Sequence, residues 1–126
     1  MLDKKEMKIL LVDDMDSMRD IIKTMLASLE INNVNDFYDP TKALKELVSG
    51  ESYDLVICDW FMPEMSGLDF LKEFRNHEKL NNTKFMMIAD ESEQNDVLMA
   101  IKNGADNFLI KPFSTELLKE KLELLF

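Results

Sequence analysis

A single cysteine, Cys58, rules out any disulfide within the chain. Set in an apolar run, it reads as a small buried hydrophobe rather than a nucleophile. No stretch approaches the roughly 20 apolar residues that a membrane span requires. The start, Met1-Leu2-Asp3-Lys4-Lys5-Glu6, lacks the apolar segment of a signal peptide. These absences lead us to expect a soluble, cytoplasmic protein. Basic residues are scarce as well, 15 against 25 acidic ones, for a net charge of -10. Such a surface repels phosphate backbones and anionic lipid, which argues against nucleic-acid and membrane partners. With three glycines and three prolines the chain has no low-complexity tract or linker. Its 126 residues suit one domain, 1–126, expected to be a monomer.

Short apolar runs alternate with longer segments of helical period, the pattern of successive βαβ units around a parallel sheet. We place strands near Met7–Val12, Val34–Tyr38, Asp54–Cys58, Phe85–Ala89 and Asn107–Ile110. Between the first two, Met18, Ile21, Ile22, Met25, Leu26 and Leu29 recur at helical steps and mark a core face. Helix starts are expected at Ser17 with Asp20 and at Ser66 with Asp69, both at capping-box spacing. Asp39 ahead of Pro40 and Ser114 mark two more starts, and Gly104 closes the fourth helix. The last helix turns Leu117, Leu118, Leu122 and Leu125 inward. Most of the ten methionines read as core filler, and His77, after a polar stretch, as a surface residue.

Three of the apolar runs deliver charge at their carboxyl ends. Ile9–Val12 runs into Asp13-Asp14, Leu55–Cys58 into Asp59, and Asn107–Ile110 into Lys111-Pro112. In an open parallel sheet those ends face one crevice, where such folds place their ligands. Carboxylates about 4 Å apart repel by roughly 4 kcal/mol per pair at an effective dielectric near 20. A divalent cation relieves that repulsion, and oxygen-only ligands without His or Cys suit Mg²⁺. A carboxylate beside Mg²⁺ can also act as a nucleophile toward phosphorus, with metal and lysine neutralising the transferred group. Asp59, alone at the end of the central strand, is the candidate nucleophile, and Lys111 its phosphate partner. Pro112 holds the lysine's loop rigidly.

Three segments carry a resemblance to a known family: Ile9-Leu10-Leu11-Val12-Asp13-Asp14, Cys58 through Gly67, and Asn103 through Phe113. The chain resembles the receiver domains of two-component response regulators, most closely the single-domain chemotaxis type called CheY. The resemblance implies an α/β flavodoxin-like fold with five parallel strands in order 2-1-3-4-5 and five helices. It implies that Asp59 accepts phosphate from a sensor histidine kinase. Mg²⁺ would be bound by Asp14 and Asp59 directly, by Asp13 through water and by the backbone carbonyl of Phe61. An output partner, for the chemotaxis type the flagellar motor switch, would bind the face made by the fourth helix, fifth strand and fifth helix. The domain would be a signalling module rather than an enzyme, limited to weak self-phosphorylation and autodephosphorylation.

This sequence departs from that pattern at positions that matter. Where the family has a serine or threonine at the end of the fourth strand, Ala89 stands, and the hydroxyl that binds the phosphoryl group is missing. Asp90 follows, a further negative charge that disfavours the phosphorylated form. Phe61, two residues beyond the acceptor, sets a bulky ring where side-chain size controls water's approach. Phe108 occupies the aromatic switch position without a tyrosine hydroxyl, and reads equally as a packed strand aromatic or a moving gate. Two rival functions follow. Ala89 and Asp90 fit a receiver-like binding module that no longer depends on phosphorylation. Asp14-Met15-Asp16-Ser17 resembles the nucleophile loop of haloacid dehalogenase-type phosphatases, although Asp59 would then lack a role.

Overall fold

The computed structural model describes residues 6–126. Residues 1–5, on which part of the expected domain and of the signal-peptide reading fall, lie outside that range. The strands are β1 (Lys8–Val12), β2 (Asn33–Phe37), β3 (Leu55–Asp59), β4 (Lys84–Ala89) and β5 (Asn107–Ile110). They alternate with α1 (Asp16–Ser28), α2 (Pro40–Ser49), α3 (Gly67–Arg75), α4 (Val97–Lys102) and α5 (Thr115–Leu125). All strand pairs are parallel, in the order β2-β1-β3-β4-β5. This is the flavodoxin-like order that the resemblance implies.

Near-continuous apolar strands are what a sheet covered on both faces requires. Alternate residues feed opposite sides. Leu10, Val12, Val56, Cys58, Phe85 and Met87 pack with Ala43, Leu47, Phe70, Phe74 and Ala100 from α2, α3 and α4. Ile9, Leu11, Leu55, Ile57, Met86 and Ile88 pack with Ile22, Leu26, Leu118 and Leu122 from α1 and α5. Each fully buried leucine, isoleucine or phenylalanine contributes about 1.5–3 kcal/mol. Cys58 is buried within the first group, as a small hydrophobe should be.

Most helix starts fall where the sequence places them. Asp39 accepts from the Thr41 amide ahead of Pro40, Ser66 from Asp69 and Ser114 from Leu117. Gly104 follows α4 at φ 106°, a conformation that costs a side-chain residue strain. The expected cap at Ser17 is a correction: α1 begins at Asp16, Met15 occupies the cap position, and Ser17 lies inside the helix. No side chain caps this helix; Asp13 Oδ1 accepts the Met15 amide at 2.9 Å and so orders the turn ahead of it. β3 is also displaced by one residue from its expected bounds. Asp54 drops out at its start, where its carboxylate accepts the Lys8 amide at 2.8 Å, and Asp59 joins at its end.

Candidate functional site

Strand register brings the charged residues to one level. Val12 pairs with Cys58, so Asp13 and Asp59 follow side by side, and Asp59 pairs with Ile88. Ala89 pairs with Ile110, and the Lys111 amide then donates to the Ala89 carbonyl at 2.8 Å. Asp13, Asp14 and Asp59 each present a carboxylate oxygen, all within 4.8 Å of one another. The Lys111 ammonium lies 3.0 Å from Asp59 Oδ1. The sequence-predicted acids and lysine thus converge in one pocket at the carboxyl edge of the sheet. The Lys111–Pro112 peptide bond is cis.

The loop after Asp59 is held tightly. The Trp60 amide donates to the Ile88 carbonyl at 2.7 Å, and the Gly67 amide to the Trp60 carbonyl at 2.6 Å. A Cβ on Gly67 would stand 2.3 Å from the Asp59 carbonyl oxygen, so only glycine allows this approach. The Phe61 ring is 65% exposed, and its carbonyl accepts no hydrogen bond among the described residues. Ala89 is fully buried. Phe108 is half-buried against the core, with the Lys121 ammonium 4.6 Å from its ring centroid.

Burial makes the pocket electrostatically costly. It raises the Asp59 carboxyl from an ordinary 3.8 to about 6, and the neighbouring Asp13 charge adds to the rise, against the opposing pull of Lys111. Asp13 is raised as well, chiefly by burial, although the Met15 amide favours its charged form. Desolvation would lower Lys111, but the hydrogen bond and charge of Asp59 raise it overall. Asp13 Oδ2 is buried without a hydrogen-bond partner, the one such side-chain atom among the described residues. An orphaned carboxylate oxygen within a cluster of hard oxygen donors fits a small divalent cation. Receiver domains generally bind Mg²⁺ at such a pocket.

Comparison with known proteins agrees with this geometry. The model of the response regulator receiver domain family matches residues 9–123. The chain is a response-regulator receiver domain. It is 40% identical over 122 residues to chemotaxis protein CheY-3 of Vibrio cholerae, covering 97% of this chain and 93% of that protein. To chemotaxis protein CheY of Pseudomonas aeruginosa it is 39% identical over 120 residues, covering 95% and 96% respectively. Among solved structures, chemotaxis response regulator CheY4 of Vibrio cholerae superposes with a TM-score of 0.85 at 28% identity, over 95% of this chain and 98% of that one. The receiver domain of sensor histidine kinase PA1611 from Pseudomonas aeruginosa, solved with a magnesium ion coordinated in its active-site cleft, gives 0.84 at 25% identity, over 94% and 96%. Receiver domains of this class work with histidine kinases and output targets. No helix among the described residues is long and apolar enough to cross a membrane.

Asp90, expected to crowd the pocket with charge, is exposed and turns its carboxylate onto its own loop. It accepts from the Ser92 amide at 2.9 Å and the Ser92 hydroxyl at 2.5 Å. The sequence reading missed Glu93, whose Oε1 accepts the Asp90 amide at 2.9 Å. The spacing Asp90-x-x-Glu93 is that of a capping box and was the available signal. Arg19 was missed too: it donates to the Asp13 carbonyl at 2.7 Å and pairs with Asp36 at 2.9 Å, fixing the loop that carries Asp13. His77 is half-buried and contributes nothing to the pocket.

Proposed function

We propose that this receiver domain accepts a phosphoryl group on Asp59 from the phosphohistidine of a sensor kinase and signals by binding a partner. Asp59 Oδ2, the carboxylate oxygen that Lys111 does not hold, attacks phosphorus. A P–O bond forms as the P–N bond to the imidazole breaks, and the electron pair returns to the ring nitrogen, which takes a proton from solvent. Asp14, Asp59 and the Phe61 carbonyl directly, and Asp13 through water, would hold Mg²⁺, which would supply positive charge toward the transferred group. Lys111 keeps its ammonium against Asp59 and turns to the phosphoryl oxygens as they arrive. The observation that carries this reading is the orphaned, buried Asp13 Oδ2 beside an acceptor whose near cation is Lys111 at 3.0 Å. The domain acts as a signalling module rather than an enzyme. Its turnover is limited to self-phosphorylation from small donors and slow autodephosphorylation. The output face consists of α4, β5 and α5.

Ala89 makes the switch atypical. A hydrogen bond to a charged group contributes roughly 1.5–3 kcal/mol, so its absence weakens the coupling of phosphate to conformation by about ten- to a hundredfold. Phe61 slows hydrolysis, and Phe61→Asn should shorten the phosphoprotein's lifetime severalfold. Ala89 also favours a second reading, a binding module that works without phosphorylation. Nothing supports the haloacid dehalogenase reading once the chain is placed in the receiver family. Acetyl phosphate added with Mg²⁺, followed by Trp60 fluorescence and amide NMR, tests the proposal. A response at the pocket that is lost in Asp59→Asn supports phosphotransfer. Partner binding of equal strength in wild type and Asp59→Asn would favour the second reading.

A further inference from the structure

β5 is an outermost strand of the sheet, and Phe108 sits on it half-buried, packed with the core that α2, α3 and α4 cover. α5 packs on the opposite face through Leu118 and Leu122. Lys121 nonetheless reaches from α5 round the free edge of β5 to the Phe108 side. Its ammonium stands over the ring, 4.6 Å from the centroid, and donates to Asn107 Oδ1 at 3.1 Å. The same oxygen accepts the Phe108 amide at 2.8 Å, which on an edge strand has no further strand to bond. One cation thus ties both the ring and the backbone of Phe108 to a helix on the other face. Lys121 forms no salt bridge among the described residues, although acids outnumber bases 25 to 15 in this chain. A lysine that only guards a sheet edge keeps its charge in water. This one is half-buried and folded back on an aromatic face, within the roughly 6 Å over which such a face attracts a cation. Three residues further on, Lys111 contacts Asp59, so a single run of chain joins the clasped ring to the acceptor pocket.

We propose that Lys121 is a clasp that sets the resting position of Phe108: from across the sheet edge its ammonium holds the ring against the core, and the ring swings outward only when the ammonium lets go. Lys121 touches neither Asp59 nor the transferred group, so it is a positioning residue rather than a catalytic one. The clasp itself is independent of phosphoryl chemistry. Its release on activation rests on the reading of Asp59 as the phosphoacceptor. A clasp on the resting form opposes activation, so loosening it shifts the population toward the active form.

NMR of the wild-type protein without phosphoryl analogue tests the contact. The ring current of Phe108 should move the Lys121 side-chain methylene protons upfield, a shift lost in Phe108→Leu. Wild type, Lys121→Met, Lys121→Arg, Phe108→Leu and the double variant Lys121→Met/Phe108→Leu are then titrated with beryllofluoride at saturating Mg²⁺, reading Trp60 fluorescence. Lys121→Met keeps an unbranched chain over the ring and loses the charge, and its half-saturating concentration should fall about two- to fivefold, the scale of a partly exposed cation over a ring. Lys121→Arg keeps the cation and should stay near wild type. Lys121→Met should add nothing once Phe108→Leu has removed the ring. Saturating beryllofluoride should also abolish the upfield shift in wild type. Lysine methylenes at ordinary positions in the resting wild type overturn the clasp. So does an upfield shift that persists while Trp60 responds, or a Lys121→Met constant equal to wild type; either leaves the phosphoacceptor reading standing. A fall shared by Lys121→Met and Lys121→Arg would assign the effect to packing rather than charge and also overturn it. No Trp60 response in any form removes the phosphoacceptor reading and with it release on activation, while the ring-current shift still decides whether Lys121 holds Phe108.

Discussion

The two edges of the sheet carry comparable numbers of acids and treat them in opposite ways. At the amino edge Asp54 accepts the Lys8 amide at 2.8 Å, and Asp106 accepts the Phe85 amide at 2.8 Å while pairing with Arg75 at 3.0 Å. Arg75 also donates to the carbonyls of Gly104, Leu80 and Thr83, each at 3.0 Å, tying the end of α3 to the turns before β4 and β5. The Tyr53 hydroxyl takes a hydrogen bond from Asn35 and gives one to Glu46. At the carboxyl edge Asp13 and Asp59 are buried, deeper than half-buried Asp54 or exposed Asp106, one oxygen has no partner, and both carboxyls are pushed toward their neutral form. Acids at one edge close the fold, whereas acids at the other are held ready for a ligand. Burial combined with an unsatisfied oxygen marks the pocket carboxylates, whereas the amino-edge acids are more exposed and engaged by amides and Arg75.

Removing charge should therefore have opposite signs at the two edges. The largest effect is expected for Arg75→Ala, which strands the Asp106 carboxylate and three carbonyls and should cost about 3 kcal/mol in urea unfolding. Asp59→Asn should go the other way in Mg²⁺-free buffer, gaining about 2 kcal/mol at pH 7.5, since it removes a buried charge held against burial and a like-charged neighbour. The sign follows from the shift: a carboxyl raised from 3.8 to about 6 stabilises the fold below 3.8 and loses that contribution as pH climbs through about 6. The advantage of Asp59→Asn should accordingly vanish as pH is lowered from about 6.5 to 3.5. Mg²⁺ at a hundred times its dissociation constant should stabilise wild type by roughly 2.7 kcal/mol and Asp13→Asn by much less, read as melting temperature. Asp36→Asn should show the smallest change, about 0.5–1 kcal/mol. Burial would raise this carboxyl, but Lys23 and Arg19 hold it lowered overall, so its contribution is present at neutral pH and fades in acid.

Much of this was legible in the sequence because the signals were local. Apolar runs ending in Asp13-Asp14, Asp59 and Lys111 announced both the strands and the crevice where they end. The caps at Asp39, Ser66 and Ser114 follow from side chains that reach amides two or three residues away. Ser17 misled because α1 begins earlier, at Asp16 behind Met15, so that Ser17 lies inside the first turn where its hydroxyl meets no free amide three residues on. Arg75 and Asp106 were invisible because their partners lie up to 31 positions apart along the chain. Glu93 went unread for a different reason. Its capping-box spacing was present, but the box caps a short turn after Ala89 rather than a helix with a periodic apolar face to announce it.

The contrast between the edges comes down to whether Asp59 is the acceptor. Intact mass and peptide mapping after incubation with acetyl phosphate and Mg²⁺ measure that directly. One added phosphoryl group, mapped to Asp59, absent in Asp59→Asn and suppressed by removal of Mg²⁺, is the predicted result. Wild-type protein that stays unmodified, or carries the group at another residue, would contradict it.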